Sequence, residues 1–286
     1  MTSDQAVQVD RGEFEHAGNR LSRRSWVPAT PARGVVVLVH GVAEHAGRYE
    51  YVARTLAAAG FAVYAFDHVG HGDSAATGSR ANIGSVDNAA DNVLALLDLA
   101  RAQHPRVPAF VIGHSMGALI TLHLATRAPL DVAGVVVSAP PLIIDAGNPA
   151  QRLLAPVLTR LAPNLGVLKL DSSQISRDPA VVAAYDNDAL VFRGKLPART
   201  ATEILTAAGK VLDRLPQLRV PTLALHGTGD AIAAPASTDR IEQHAGTTDL
   251  TVRRYDGLYH EIFNEPERDE VLADVVAWLD ARTATT

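Results

Sequence analysis

The sequence predicts an α/β protein in which a mostly parallel sheet is flanked by helices and carries a helical insertion. Two observations predict this fold class. Short apolar segments alternate with amphipathic helical patterns along most of the chain. One interval between two apolar segments is too long for a single crossover, which indicates an insertion. Alternating strands and helices favour parallel strands joined by right-handed crossovers.

The predicted strands come first. A hairpin at the periphery, turning at Gly18-Asn19, is predicted for the residues before about position 30. Five later segments have the continuous aliphatic and β-branched character of strands buried on both faces of a parallel sheet. They are Gly34–His40, Phe61–Phe66, Ala109–Ile112, Gly134–Val137 and Thr222–Leu225. A partly polar strand is predicted between Asp249 and Asp256.

Helical patterns lie between these strands. One runs from Tyr49 to Ala59 and stops at Gly60, a common residue at helix ends. A second follows Asp87, which we interpret as its capping residue. The last helix carries an apolar stripe between residues 271 and 279, and Pro266 suits its first turn.

The insertion lies between Val137 and Thr222, where more than eighty residues stand in place of one crossover. Residues 149–161 place apolar side chains along one helical face, and prolines and glycines divide the remainder into short pieces. We therefore predict a first part of the core at residues 1–141, a helical cap at 142–206 and a second part of the core at 207–286.

Composition limits the chemistry and the partners. The 286 residues include no cysteine, which excludes thiolate metal sites and cysteine nucleophiles. A net charge of −5 without a basic block argues against nucleic acid as a partner. No secretory signal and no bilayer-spanning apolar stretch is recognisable. We expect a soluble, cytoplasmic protein, with peripheral contact to a membrane or the cell envelope left open, and the sequence predicts no oligomeric state.

A serine motif follows the third of the buried strands. Gly113-His114-Ser115-Met116-Gly117 stands between that strand and a helical run from Ala118 to Thr126. This is the context of a nucleophile elbow, in which small residues on both sides of a serine allow a tight strand-to-helix turn. Ser115 is therefore the predicted nucleophile. The alternative is a glycine-rich turn that contains a serine by chance.

A serine nucleophile needs a base that is itself held by a carboxylate. Asp230, just past the strand Thr222–Leu225, and His260, before the last helix, follow Ser115 in the order expected for such a sheet. A loop-capping aspartate and a surface histidine are the alternatives. The backbone N–H groups of Val42 and Met116 are predicted to form the oxyanion hole.

Histidines at positions 40, 45, 68 and 71 raise the alternative of a metal site. They fall in two loops without a carboxylate set or helical spacing, so no bound metal is predicted. The segment Asp67–Asp73 lacks the Lys-Ser/Thr end of a phosphate loop, and we interpret it as a structural loop beneath the elbow, with Asp67 and His71 in hydrogen bonds.

Five motifs in sequence order resemble the monoacylglycerol lipase family of α/β-hydrolases. They are His40-Gly41-x-x-Glu44-His45-x-Gly47-Arg48-Tyr49, Asp67-His68-x-Gly70-His71-Gly72-x-Ser74, the Gly113–Gly117 elbow, His226-Gly227-x-x-Asp230 and Tyr259-His260. The resemblance implies an α/β-hydrolase fold with a cap, and a catalytic triad at Ser115, Asp230 and His260. It also implies hydrolysis of monoacylglycerol, or a similar small ester, to a free fatty acid and glycerol without a cofactor.

The same resemblance implies that Glu44, Arg48 and Tyr185 lie near the glycerol end of the site. A structural ion pair between Glu44 and Arg48 is the alternative. Apolar residues of the predicted cap would line the acyl site and contact a membrane surface, or would simply pack the cap on the core. These residues are Ile143, Ile144, Leu153, Leu154, Val157 and Leu168.

Two other functions remain open at this stage. One is a general carboxylesterase, lysophospholipase or peptidase, because a triad determines the reaction type and the cap determines the substrate. The other is a receptor for a small ligand that keeps the hydrolase fold without catalysis.

Mammalian members of the family carry a second histidine three residues after the catalytic one, where this chain has Phe263.

Overall fold

A computed structural model describes residues 7–77, 79–144 and 159–283 of the chain. Its strands are β1 (Val7–His16), β2 (Asn19–Pro28), β3 (Gly34–Val39), β4 (Phe61–Phe66), β5 (Ala109–His114), β6 (Gly134–Ser138), β7 (Gly166–Leu168), β8 (Leu196–Pro197), β9 (Thr222–Gly227) and β10 (Leu250–Tyr255). Its α-helices are α1 (Glu50–Ala58), α2 (Val86–Gln103), α3 (Met116–Arg127), α4 (Pro179–Asn187), α5 (Ala198–Arg214), α6 (Ala236–His244) and α7 (Arg268–Thr283). Short 3-10 helices lie at Ala46–Tyr49, Gly72–Thr77, Ser172–Gln174, Leu215–Gln217 and Ile262–Asn264.

Eight of these strands form one sheet in the order β1-β2-β4-β3-β5-β6-β9-β10. In this sheet, neighbouring strands pair in parallel from β4 through β3, β5, β6 and β9 to β10. β1 pairs antiparallel with β2, and β2 pairs antiparallel with β4. All five predicted buried strands are present as β3, β4, β5, β6 and β9, and the partly polar strand is β10. The prediction of a mostly parallel sheet flanked by helices is confirmed.

The central strands are apolar throughout because helices cover both faces of the sheet. In β3 all six residues are buried, and successive side chains point to opposite faces. Val35 and Val37 pack in a cluster with α2, α3 and α5, whereas Val36 and Leu38 pack in a second cluster with α1 and α7. The two clusters fix the sheet between two helical layers, with the carboxyl ends of the strands at one edge.

The N-terminal hairpin differs from its prediction in the position of its turn. The turn is at Ala17-Gly18, with φ of 49° and 77°, and His16 pairs with Asn19. Two positive φ values are typical of the two-residue turn that suits a twisted hairpin, which places the turn one residue before the prediction. The hairpin lies at one edge of the sheet, and it is joined to the core because β2 pairs with β4 and Trp26 is fully buried.

Two predicted helix starts need correction. Ser85, not Asp87, caps α2, because the Ser85 side chain accepts a hydrogen bond from the Asn88 N–H at 3.1 Å. Asp87 is the second residue of the helix and contacts His123 at 2.7 Å instead. Pro266 lies just before α7, which begins at Arg268, and is therefore not within its first turn.

The predicted cap is described in part. Of the helix predicted at 149–161, residues 149–158 lie outside the described part of the chain, and residues 159–161 are helical. The described remainder contains a two-stranded sheet of β7 and β8, then α4 and the start of α5. Helix α5 crosses position 206 and buries Ala207, Ala208 and Val211 in the core, so the boundary at 206 falls within one helix. The division at 142–206 stays a prediction.

No helix in the described ranges is both long and apolar enough to cross a membrane.

Candidate active site

Ser115 occupies the sharp turn between β5 and α3. Its backbone has φ of 52°, a left-handed conformation that is costly for a residue with a side chain. The Ser115 N–H donates to the carbonyl of Ser138 at the end of β6, at 2.9 Å, which anchors the turn to the neighbouring strand. The strained turn places the serine side chain at the N-terminus of α3.

The glycines on both sides of Ser115 have no space for a side chain. A Cβ on Gly113 would lie 2.3 Å from the carbonyl oxygen of Gly117. A Cβ on Gly117 would lie 2.0 Å from the carbonyl oxygen of Val39 in β3. Both approaches are far below van der Waals contact, so the motif needs glycine at these two positions for the turn to close.

Three loop residues at the carboxyl edge of the sheet form a chain of hydrogen bonds. The Ser115 hydroxyl lies 2.9 Å from Nε2 of His260, and Nδ1 of His260 lies 2.7 Å from Oδ2 of Asp230. The carboxylate accepts from the Nδ1 proton, which leaves Nε2 free to accept the serine proton. The structure thus brings together the three residues that the sequence analysis selected.

The Asp230 carboxylate is surrounded by donors. Oδ1 accepts from the N–H groups of Ile232 and Ala233 at 2.8 and 2.9 Å. Oδ2 receives His226 Nε2 at 3.1 Å in addition to His260. Burial alone disfavours the charged carboxylate, but the hydrogen bonds from His226 and His260 outweigh it and hold the pKa of Asp230 well below its usual range. The carboxylate is therefore ionised at neutral pH.

The predicted oxyanion donors lie at the same place. Val42 follows β3, Met116 is the first residue of α3, and both line the cavity that contains Ser115 and His260. The N–H of the first helical residue has no acceptor in a preceding turn. The Met116 N–H is thus available to an oxygen placed beside Ser115, and the α3 dipole favours negative charge there.

The cavity has an apolar part and a polar end. Its apolar lining residues are Val42, Met116, Pro141, Ile144, Leu168, Leu170, Ile175, Leu196, Ile204 and Ile232. Its polar lining residues are Glu44, His114, Ser115, Tyr185, His260 and Glu261. Of the predicted acyl-site residues, Ile144 and Leu168 line this cavity, while Leu153, Leu154 and Val157 lie outside the described residues.

Ile143 takes a different place from the one predicted. It lines a separate groove with Leu212 and Arg240, and 38% of its surface is exposed. The N–H groups of Leu142 and Ile143 both bond to the Ser237 hydroxyl, at 3.2 and 3.0 Å, which holds this backbone on α6. As a result, Ile144 lines the cavity and Ile143 does not.

Arg48 connects two carboxylates at the polar end. Its Nη1 lies 2.6 Å from Glu44 Oε2 and 2.6 Å from Glu261 Oε1, and its Nη2 lies 2.7 Å from Glu261 Oε2. Arg48 does not line the cavity, and its guanidinium stacks 4.7 Å from the centre of the Tyr185 ring. The alternative of a structural ion pair between Glu44 and Arg48 fits this geometry better than direct contact of Arg48 with a ligand.

Glu44 also holds the loop after β3. Its Oε1 accepts from the Gly41 N–H at 2.6 Å and from the Tyr49 hydroxyl at 2.7 Å. Burial raises the pKa of Glu44, with Arg48 acting in the opposite direction. Burial also disfavours the charged form of Glu261, but Arg48 outweighs it and holds the pKa of Glu261 below its usual value. Glu261 makes two contacts with Arg48 through its two oxygens, whereas Glu44 makes one.

The loop that carries His260 is tied to the cap. The Glu261 N–H donates to the Ile175 carbonyl at 2.8 Å. Glu265 accepts from the Arg177 N–H at 3.1 Å and from Arg177 Nε at 3.0 Å, and also from the Tyr259 N–H at 2.8 Å. The Glu265 side chain is fully buried. One carboxylate thus joins the cap to the residue next to His260.

Three histidines below the elbow loop form a buried cluster. The ring centres of His40 and His68 lie 4.5 Å apart, and those of His40 and His71 lie 5.5 Å apart. His40 Nε2 accepts from the His68 N–H, and His71 Nδ1 bonds to the Val69 carbonyl. Within the described residues, both ring nitrogens of His68 have no partner. Burial lowers the pKa of His68 to about 3 and that of His71 to about 4.

We expect this cluster to make stability depend on pH. Because His68 has a lower pKa in the folded chain than in the unfolded chain, only the unfolded chain binds its proton between about pH 6.5 and 3. Stability therefore falls as the pH falls through this range. Lowering the pH from 7 to 4.5 should therefore decrease the free energy of unfolding less in a folded His68→Phe variant than in the wild type. The difference between the two decreases should be about 2 kcal/mol.

Urea unfolding at the two pH values measures this difference. The exposed His244→Gln variant is the control and should keep the wild-type pH dependence. If His68→Phe shows the wild-type pH dependence, the buried neutral state of His68 is not the cause.

Comparisons with known proteins show the family of this chain. A family model described as serine aminopeptidase, S33, matches residues 30–267. The chain is 40% identical to the monoacylglycerol lipase of Mycolicibacterium smegmatis over 277 residues, which covers 96% of this chain and 98% of that relative. The chain belongs to the monoacylglycerol lipase family of α/β-hydrolases.

Further members of the family support this assignment. The human monoglyceride lipase is 34% identical, covering 94% of this chain and 89% of its own length. The crystal structure of the Paleococcus ferrophilus monoacylglycerol lipase matches with a TM-score of 0.83 at 33% identity, covering 92% of this chain and 99% of that one. The resemblance predicted from five motifs, the α/β-hydrolase fold and the serine hydrolase class are confirmed.

The sequence analysis missed three residues that support the site. Glu261 is 213 positions from Arg48, and only its place beside His260 could have drawn attention to it. His226 belongs to one of the five motifs without a predicted role, although it contacts the Asp230 carboxylate. Tyr49 is the first residue of a predicted helical pattern, but its hydroxyl bonds to Glu44.

Proposed function

We propose that this member of the family hydrolyses monoacylglycerols to a fatty acid and glycerol through an acyl-enzyme on Ser115. The observation that carries the proposal is the hydrogen-bonded chain Asp230–His260–Ser115 at one end of a largely apolar cavity. A single acyl chain suits the apolar part, and a small polar alcohol suits the end that contains the carboxylates. The names of the relatives support the same substrate class.

The first half of the reaction forms the acyl-enzyme. His260 Nε2 accepts the Ser115 proton while Oγ attacks the ester carbonyl carbon. The N–H groups of Val42 and Met116 stabilise the resulting oxyanion, and ionised Asp230 stabilises the imidazolium. The bond to the alcohol oxygen then breaks, and His260 gives its proton to the departing glycerol.

The second half releases the acid. A water molecule passes a proton to His260 and attacks the acyl carbonyl, which forms a second tetrahedral intermediate. Ser115 leaves this intermediate and recovers its proton from His260. The balance is one ester and one water consumed for one fatty acid and one glycerol formed.

A comparison of esters that carry the same acyl group on different alcohol parts tests the substrate class. We expect kcat/KM for a monoacylglycerol to exceed that for the triacylglycerol and the lysophospholipid by about tenfold or more. A nitrophenyl ester serves as the reference for the reaction itself. Equal or higher values for the triacylglycerol or the lysophospholipid would instead indicate a general carboxylesterase or a lysophospholipase.

Substrates of this kind reside in membranes, and we propose that the cap contacts one. Four exposed apolar residues lie within eight positions of the cap sequence. One of them, Leu168, also lines the cavity. They are Leu161, Leu165, Val167 and Leu168. Exposed Lys169 and Lys195 flank them, so the surface combines apolar contact with attraction to anionic lipid.

Sedimentation with vesicles of phosphatidylcholine and phosphatidylglycerol tests this contact. The double variant Leu161→Ser and Leu165→Ser should bind about tenfold more weakly, because two exposed leucines no longer enter the interface. Val9→Ser on the distant strand β1 removes a similarly exposed side chain and is the control. Unchanged binding of the double variant would show that these cap residues do not contact the membrane.

A further inference from the structure

The charged side chains that line the polar end of the cavity are acidic. Within the described part of the chain, Glu44 and Glu261 line the cavity, and no lysine or arginine does. His114 also lines this end, and burial lowers its pKa to about 3, so its ring is neutral at pH 7. A bound alcohol group therefore meets carboxylates and neutral rings.

The nearby cation is not available to a ligand. Arg48 uses Nη1 and Nη2 in contacts of 2.6 to 2.7 Å with the two carboxylates, and its side chain is 10% exposed. Two carboxylates face one guanidinium, so the group has a charge of −1 when both are ionised and 0 when Glu44 holds a proton. It is positive in neither state.

We propose that this polar end rejects esters of anionic alcohols, and that Glu261 determines the rejection by neutralising Arg48. The substrates accepted are esters of uncharged or cationic alcohols. The inference rests on the proposed ester hydrolysis and deepens it, since it assigns a charge requirement to the leaving group. It also gives a role to a residue that no motif of the family singled out.

The size of the effect follows from Coulomb's law. When Glu44 and Glu261 are both ionised, the group has a net negative charge, and like charges a few ångströms apart in a partly buried site repel strongly enough to lower kcat/KM by about 100-fold. Salt reduces this repulsion only weakly, because the groups are buried and are screened less than surface charges.

Three decanoate esters with matched acyl chains test the proposal on the unmodified protein. The alcohols are glycerol, choline and glycolate, with charges of 0, +1 and −1 at pH 7. We expect similar kcat/KM values for the first two and a value about 100-fold lower for the glycolate ester. Equal values for the glycerol and glycolate esters would overturn the proposal whatever the variants show.

The variant Glu261→Gln assigns the effect to one residue. The amide keeps a hydrogen-bond acceptor for Arg48 but removes the charge, so Arg48 faces one carboxylate. The ratio of kcat/KM for the glycolate ester to that for the glycerol ester should rise by about tenfold. An unchanged ratio in the folded variant would overturn the role of Glu261.

Glu265→Gln is the matched control. Glu265 lies on the same loop, is equally buried and also pairs with an arginine, Arg177, but it does not line the cavity. Its variant should keep the wild-type ratio of the two esters, even where its absolute rates fall. A ratio that rises equally in both variants would mean that a loosened loop, and not the charge of Glu261, admits the anion.

A binding measurement separates this proposal from the proposed function. Calorimetry with the Ser115→Ala protein compares the affinity for the intact glycerol and glycolate esters, with weaker binding of the glycolate ester expected. If the wild type hydrolyses none of the esters, the proposed function fails, and the order of these affinities still decides the charge requirement. Equal affinities would overturn it.

Discussion

Replacing Ser115 by alanine is expected to lower kcat for ester hydrolysis by about 10⁵-fold or more. The substitution removes the oxygen that lies 2.9 Å from His260 Nε2 and leaves the proposed oxyanion donors, the N–H groups of Val42 and Met116, in place. Alanine keeps the Cβ that the turn already accommodates, so the protein should fold with nearly the wild-type melting temperature. The rate is measured by titrating the fatty acid released from a monoacylglycerol.

The control is Ser25→Ala, which removes a buried hydroxyl in β2, far from the site. Its kcat should equal the wild-type value. Hydrolysis at the wild-type rate by folded Ser115→Ala protein would contradict the acyl-enzyme mechanism on Ser115.

Replacing Asp230 by asparagine is expected to lower kcat by about 10⁴-fold. Asparagine places an NH₂ group where the carboxylate now accepts four hydrogen bonds, so one or more of its donor partners loses an acceptor. An amide that donates to His260 Nδ1 favours the tautomer with the proton on Nε2. That tautomer has no lone pair for the Ser115 proton.

The control for this substitution is Asp256→Asn, an exposed residue that accepts a hydrogen bond from Thr228 on the neighbouring turn. It should retain wild-type kcat. The rate of Asp230→Asn should also stay low at every pH between 6 and 9, since the tautomer and not the degree of ionisation limits it. A rate that recovers fully at higher pH would show that a titrating group, and not the tautomer of His260, limits the variant.

The sequence predicted the central sheet and the three hydrogen-bonded residues because their signals are local. A strand such as Phe61–Phe66 is apolar on both faces, which is typical of the interior of a parallel sheet that helices cover on both sides. The elbow needs glycine at fixed places because the backbone of Val39 and Gly117 fills the space around it. Such steric requirements leave a pattern in a few consecutive residues.

The remaining features depend on residues that are distant in sequence. The contact between Arg48 and Glu261 joins two loops, and neither loop contains a pattern that indicates the other. The direction of Ile143 depends on Ser237, 94 positions later. The turn at Ala17-Gly18 differs from its prediction by one residue because strand twist, and not residue type alone, selects the turn.

The buried carboxylate of Glu265 gives the base of the triad a fixed support from a distant part of the chain. It holds the backbone and the side chain of Arg177, 88 positions earlier, together with the Tyr259 N–H, one residue before His260. The Glu261 N–H, one residue after His260, bonds to the Ile175 carbonyl. The imidazole is thus held on both sides by the segment Ile175–Arg177, so the alignment of the base with Ser115 depends on residues that take no part in the reaction.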